Sequence, residues 1–214
     1  MKNFNYYTPT EIVFGNDSES KIGYLVRRYE GTKVLIHYGG KSAERSGLLN
    51  DICRQLDAEG ILYVKLGGVV PNPRLSKVYE GIELCRKEGV NHILAIGGGS
   101  VIDSAKAIAY GLAYDGDVWD LFDGKAEAKA CYPIGVVLTI PAAGSEMSNG
   151  CVITNEVDSR KRAYNNDLAR PKFAIMNPER TFSLSTYQTA CGIVDIMMHT
   201  MEQFSSSNAK LSIR

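Results

Sequence analysis

Short apolar runs alternate with stretches of helical spacing along most of the chain. Residues 33–38, Lys-Val-Leu-Ile-His-Tyr, stop at Gly39-Gly40, the pattern of a buried strand ending in a loop. Leu48, Leu49, Ile52 and Leu56 then recur at helical spacing up to Gly60, which predicts a helix closed by a glycine. Ile61 to Leu66 predicts a second strand. Beyond Pro71-Asn72-Pro73, Val78, Ile82 and Cys85 share one side of a helix predicted over Leu75 to Glu88, with Gly89 as its stop. His92 to Ile96 predicts a third strand, broken by Gly97-Gly98-Gly99. Val101, Ala105, Ile108 and Ala109 then place a helix over Ser100 to Leu112.

Such alternation points to an α/β fold with a parallel sheet covered on both faces. From Pro133 the pattern changes. Ile134 to Leu138 predicts another strand, and Cys151 to Thr154 and Phe173 to Met176 follow without long helices between them. The polar stretch 158–166 reads as a hairpin or surface loop. After Asn177-Pro178 the chain turns helical, most strongly over Cys191 to Phe204. The expected organisation is an α/β domain over residues 1–180 and the beginning of a helical domain over 181–214.

Composition narrows the function classes. The 24 Lys and Arg balance the 24 Asp and Glu, giving a formal charge of zero. That argues against a nucleic-acid binder working through bulk charge. Hydrophobic content of 44% with 22% charged residues excludes wholesale disorder. No apolar run approaches the roughly 20 residues of a membrane-spanning helix, and the N-terminus lacks a signal peptide's apolar core. A soluble cytoplasmic protein with no membrane partner is expected. The five cysteines form no C-x-x-C pair, so free thiols are the plain reading.

Three segments carry candidate chemistry. Gly97-Gly98-Gly99-Ser100-Val101-Ile102-Asp103 lies between a strand and a helix. Glycines let the backbone approach a ligand, and the helix N-terminus offers free N–H groups to a pyrophosphate. Ser100 and Asp103 also have capping-box spacing, so a tight turn with an ordinary cap remains open. Thr139-Ile140-Pro141-Ala142-Ala143-Gly144-Ser145-Glu146-Met147-Ser148 follows a strand, at the sheet edge where ligands bind in open parallel sheets. A small-residue loop without a ligand is its alternative. Asp195 and His199 are spaced i, i+4 on one helix face. They could share a divalent cation or form a local hydrogen bond. His37 and His92 fall in or beside predicted strands and read as packed or solvent-tipped residues rather than ligands.

Taken together and in this order, the three segments resemble the iron-containing (group III) alcohol dehydrogenase family, in particular its NADPH-dependent butanol dehydrogenase and aldehyde reductase branch. The resemblance begins at Phe4-Asn5-Tyr6-Tyr7 with Phe14-Gly15 and passes through Pro71-Asn72-Pro73 and the triple glycine. It continues through Gly144-Ser145-Glu146-Met147 and Gly192-Ile193-Val194-Asp195 to His199-Thr200-Met201-Glu202-Gln203-Phe204. It implies an N-terminal dinucleotide-binding α/β domain, an all-helical metal-binding domain, and a homodimer when intact. Its activity is reversible hydride transfer between a primary alcohol and its aldehyde. Gly97, Gly98, Gly99, Ser100 and Asp103 would surround the pyrophosphate. Asn72, Thr139, Ile140, Ser145, Ser148 and Lys161 would be further cofactor contacts, with Leu184 packing near the nicotinamide. Asp195 and His199 match the first two ligands of an iron(II) or zinc ion.

Two features qualify these implications. The family's remaining histidine ligands have no counterpart, because no histidine follows His199. The expectation is a fragment or truncated product that binds nucleotide without catalysis on its own. A glycerol dehydrogenase or dehydroquinate synthase-like enzyme is the alternative. Secondly, the strand Val34 to Tyr38 runs into Gly39-Gly40-Lys41-Ser42, with no acidic residue before Glu44. An acidic side chain there would accept from a ribose 2′-hydroxyl and repel a 2′-phosphate, so NADP(H) is expected over NAD(H). The Gly-Gly-x-Ser wording also resembles the NADPH-using branch.

Overall fold

The computed structural model describes residues 7–40 and 42–205. In chain order the elements are β1 (Glu11–Phe14), α1 (Ile22–Arg28), β2 (Lys33–Tyr38), α2 (Ser42–Arg45), α3 (Leu48–Ala58), β3 (Leu62–Leu66), α4 (Leu75–Glu88), β4 (His92–Gly97), α5 (Gly99–Leu112), α6 (Trp119–Phe122), β5 (Ile134–Leu138), β6 (Gly150–Asn155), β7 (Arg160–Asn165), β8 (Phe173–Met176) and α7 (Thr186–Ser205). Lys41, the Phe4-Asn5-Tyr6 stretch and the side chains of Gln203 and Phe204 lie outside the described residues.

Six strands form one parallel sheet in the order β1-β8-β5-β4-β2-β3. Burial on both faces explains their continuous apolar runs. Val34 and Ile36 of β2, Leu94 and Ile96 of β4, Val137 of β5 and Ile175 of β8 point to the layer formed by α1 and α3. Leu35, Ile93, Ala95, Val136 and Ala174 point to the opposite layer of α4, α5 and α6. Alternate residues thus serve two cores.

The polar stretch after Cys151 is a hairpin. β6 and β7 pair antiparallel from Gly150↔Asn165 to Asn155↔Arg160. It packs on α5, and Cys151 and Ile153 join the core on that side.

Several boundaries move. β1 was not among the expected strands: Ile12-Val13-Phe14 is a run of only three apolar residues, and the four residues of the strand alternate between half-buried and exposed at the sheet edge. The segment Ile22–Arg28 is likewise helical without having been expected. The helix after the triple glycine begins at Gly99, and the C-terminal helix, expected after Asn177-Pro178 and most strongly from Cys191, begins at Thr186.

Candidate cofactor cleft and metal ligands

The strand order places a crevice. After β2 the chain moves outward to β3, then returns so that β4 lies on the other side of β2. At such a reversal the loops after the two central strands diverge, opening a space at their carboxyl ends. Those loops here are Gly39-Gly40 and Gly97-Gly98-Gly99.

A cavity of about 650 Å³ occupies this position. Gly39, Ser42, Gly97, Gly98, Thr139, Ile140 and Leu184 line it, so seven of the expected cofactor residues converge from four separate segments. The floor is pinned where Thr139 N–H donates to Gly97 O at 3.1 Å. Gly98 is the helix N-cap in an extended conformation, and a Cβ there would drive into Ile140 Cγ2. Gly99 by contrast has only the Ala143 Cβ at 3.9 Å from such an atom. The first α5 hydrogen bonds run from Val101 and Ile102 N–H to Gly98 O. The amides of Gly99 and Ser100 therefore precede the helical ladder, where an anion is favoured. At the neighbouring loop, a Cβ on Gly39 would meet Val69 O at 3.5 Å and Val101 Cγ2 at 3.6 Å, and Gly40 has open space.

The capping box is not formed. Gly98 takes the cap, so Ser100 falls inside the first helical turn. Asp103 turns away from it, accepting the Ser145 hydroxyl proton at 2.6 Å and the Val152 N–H at 3.1 Å. Burial raises its pKa above the usual carboxylate range, against the lowering effect of those hydrogen bonds and of Lys106. Asp103, Ser145 and Ser148 line a second cavity of about 790 Å³, which His199 and Glu202 also border. The proton of the Ser145 hydroxyl is thus committed within the protein, although its backbone shapes the cavity.

Beneath this loop lies a residue the sequence reading missed. Lys106 is fully buried, and its ammonium donates to the carbonyls of Ser145 (2.7 Å), Ser148 (2.8 Å) and Gly150 (2.9 Å). Both serine hydroxyls stand at 3.2 Å. Desolvation lowers its pKa, opposed by Cys151, Asp103 and Glu146 nearby. Asn72 and Lys161 form a separate pair, Nζ donating to Oδ1 at 2.8 Å, outside the walls of both cavities. Asn72 holds a left-handed φ of 58°, a conformation asparagine tolerates better than most residues.

Helix α7 approaches the sheet domain at Gly192, where a Cβ would stand 2.8 Å from Pro141 O. One and two turns on, Asp195 and His199 face each other with Oδ1 and Nε2 3.7 Å apart. That is too long for a hydrogen bond. Two donors each about 2.1 Å from a tetrahedral ion stand roughly 3.4 Å apart, so the spacing suits a shared cation. Carboxylate and imidazole also suit iron(II) or zinc. A catalytic ion needs about three protein ligands, and the described residues contain no group of three His, Cys, Asp or Glu so disposed. The pair fits part of a donor set, and no chemical step is assigned to it. His37 and His92 are buried sheet residues. His37 Nδ1 lies 3.0 Å from Leu66 O and Nε2 2.9 Å from Ser104 Oγ; since the carbonyl only accepts, Nδ1 carries the proton.

A parallel sheet with its glycine-lined cleft at the point of strand reversal, above a helix N-terminus, defines a dinucleotide-binding α/β domain. Residues 9–178 match the family model for iron-containing alcohol dehydrogenase, and the chain belongs to that family. It is 45% identical over 204 residues to a probable NADH-dependent butanol dehydrogenase 2 of Bacillus subtilis, covering 95% of this chain and 52% of that protein. It is 38% identical to the NADPH-dependent aldehyde reductase YqhD of Escherichia coli, covering 95% and 52%. The crystal structure of a NADH-dependent butanol dehydrogenase A from Thermotoga maritima superposes with a TM-score of 0.93 at 43% identity, covering 95% of this chain and 51% of that one. The chain therefore spans about half the length of these relatives.

Proposed function

We propose that this chain is the N-terminal, cofactor-binding part of a nicotinamide-linked, metal-dependent alcohol dehydrogenase acting on a primary alcohol and its aldehyde. The observation that carries this reading is the convergence of Gly39, Ser42, Gly97, Gly98, Thr139, Ile140 and Leu184 on one cleft at the strand reversal. When bound, the nicotinamide would supply the hydride chemistry. The residues of this chain hold and orient it. The Gly99 and Ser100 amides would serve the pyrophosphate, Gly98 would let the backbone come close, and Leu184 would shield one side from water. Asp195 and His199 contribute two donors toward an iron(II) or zinc ion that a longer protein would complete.

NADP(H) is the preferred cofactor in this reading. Gly39 and Gly40 leave room beside β2, Ser42 offers a hydroxyl at the cleft wall, and no carboxylate intervenes before Glu44. Glu44 is moreover turned to accept the Tyr38 hydroxyl proton at 3.0 Å. Relatives named as NADH-dependent and as NADPH-dependent both occur, which makes the loop itself the deciding feature. A cytoplasmic homodimer of the intact enzyme rests on the family resemblance. Among the described residues, no helix is long and apolar enough to cross a membrane.

Calorimetric titration of the chain with NADPH and NADH tests the reading directly. Saturable binding at one site, tighter for NADPH, is expected. No binding of either by folded protein would reject it. Butanol turnover by this chain with added iron or zinc is expected to be negligible, because two donors do not make a catalytic metal site.

A further inference from the structure

The loop from Ser145 to Gly150 folds three carbonyls and two hydroxyls around one point, all within 3.2 Å of the Lys106 nitrogen. This is an oxygen cage of the kind that holds a bare monovalent cation, here filled from below by the protein's own ammonium. An ammonium has three protons, and the three shortest contacts, 2.7 to 2.9 Å, go to three carbonyls. Those carbonyls come from alternate or near-alternate positions of one irregular loop, and such groups repel each other unless a positive charge lies between them. The side chain rises from the middle of α5 and has no exposed surface. It cannot touch a ligand in the cavity above, whereas Ser145, Ser148 and Gly150 all line that cavity.

We propose that Lys106 is a positioning residue, a tethered internal cation that holds the Ser145–Gly150 loop in its ligand-binding shape. Removing its side chain would uncover a site for a small primary alkylammonium ion. The orientation of Ser145 follows from the same arrangement. Its hydroxyl donates to Asp103 while its oxygen faces the Lys106 ammonium at 3.2 Å, so carboxylate, hydroxyl and ammonium fix one another in a chain. The proposal rests on the cofactor-binding reading only for its second readout.

The experiment compares Lys106→Ala and Lys106→Met with the unaltered chain, with and without n-propylammonium chloride. Sodium chloride, n-propanol and tetramethylammonium chloride are the controls. The readouts are thermal unfolding and NADPH affinity by fluorescence titration. Both variants are expected to unfold at lower temperature and, because the loop that Lys106 holds runs on from Thr139 and Ile140 of the cofactor cleft, to bind NADPH about tenfold more weakly or worse, the scale of lost charge-assisted hydrogen bonds. Propylammonium restores Lys106→Ala in both readouts, saturably, and leaves Lys106→Met and the unaltered chain unmoved, because in those two a long side chain already occupies the place of the lysine. Equal recovery with propanol or tetramethylammonium would show that volume alone was missing and would overturn the proposal. Unaltered stability and affinity in Lys106→Met would overturn it as well. A Lys106→Ala chain that is insoluble both with and without propylammonium counts against it, since the ion should replace the lost charge. If the unaltered chain binds no dinucleotide while propylammonium still raises the unfolding temperature of Lys106→Ala, the cofactor reading fails and the internal cation stands.

Discussion

Ile36 and Ile196 are the same side chain in opposite circumstances. Ile36 lies in β2 with no exposed surface, enclosed by Leu94 and Ile96 of the neighbouring strand and by the layer of α1 and α3. Ile196 lies in α7 and is 47% exposed, beside Met197 at 55% and Ile193 at 54%. Both segments are apolar, and both adopt the secondary structure that their spacing predicts. The sheet domain buries its apolar positions on two faces. Helix α7 touches that domain at Gly192 and leaves most of its apolar side chains uncovered. Secondary structure and tertiary burial are therefore separate attainments in this chain, and the cofactor cleft depends on the first region while the metal donors depend on the second.

The largest effect should follow from truncating the buried partner of this pair. Ile36→Ala removes methyl groups from a fully packed site and should cost about 2–4 kcal/mol in urea unfolding. Ile196→Ala should stay within roughly 0.5 kcal/mol, as substitutions at poorly packed positions do. Comparable losses at the two sites would mean that α7 is covered in solution, for instance by self-association through its apolar face.

A second effect, nearly as large, belongs to the sheet domain alone. Burial depresses the imidazoles of both His37 and His92 to about 4, from an ordinary 6.5. For His37 the Leu66 carbonyl opposes the shift, while Lys77 adds to it and Glu80 counters it. Both are neutral when folded across this interval, whereas the unfolded chain takes up protons below pH 6.5. Their contribution is therefore fully present above about pH 6.5 and is lost as the pH falls from 6.5 toward 4. Each loss is on the order of 3 kcal/mol at the acid end. His92 stacks on Phe173 with ring centroids 5.9 Å apart, so His92→Phe preserves the packing. It should flatten the dependence of unfolding free energy on pH by about one proton between pH 4.5 and 6.5. An unchanged slope would remove His92 from the account.

The same contrast explains what could be read in advance. β2, β4, β5 and β8 were legible because strands buried on both faces carry mostly apolar residues, and β2 and β4 run straight into Gly39-Gly40 and Gly97-Gly98-Gly99. β1 was not, since Glu11-Ile12-Val13-Phe14 sits at the sheet edge with alternate residues exposed. The cleft residues were recognisable through motif wording, but their local geometry was less so. Ser100 and Asp103 have cap spacing, yet Gly98 extends and takes the cap, which frees Asp103 to face the Ser145 loop. Lys106 was hidden because a single lysine in a helix normally marks the solvent face. The structure buries Ser104 to Gly111 of α5 without a break, so this stretch of the helix has no solvent face for a lysine to reach.

Within the cleft, the effect of a charge at Gly39 should be the next in size. Gly39→Asp places a carboxylate where Val69 O and Val101 Cγ2 leave ordinary contact distances, so the backbone need not move. The carboxylate would repel a 2′-phosphate and could accept from a 2′-hydroxyl. The ratio of NADPH to NADH affinity should fall by about ten- to a hundredfold, the equivalent of one charge-assisted contact. A ratio that does not move would exclude this loop from phosphate recognition.

The smallest effect is expected at Asp195 and His199, and it sharpens the comparison from the other side. Their side chains are 44% and 58% exposed, and each remains solvated whether or not an ion is present. Replacing either therefore leaves no buried charge without a partner, unlike a change among the polar groups below the cleft. Two donors at 3.7 Å can chelate zinc, but water must supply the rest of its coordination shell. Such an ion exchanges readily and contributes little folding energy. Asp195→Asn and His199→Ala should change unfolding free energy by less than roughly 0.5 kcal/mol and leave NADPH affinity unaltered. Equimolar zinc should not survive dialysis against a chelator in the parent chain. Metal retained stoichiometrically through that dialysis, and lost in His199→Ala, would show that α7 finds its missing ligands within a chain of this length.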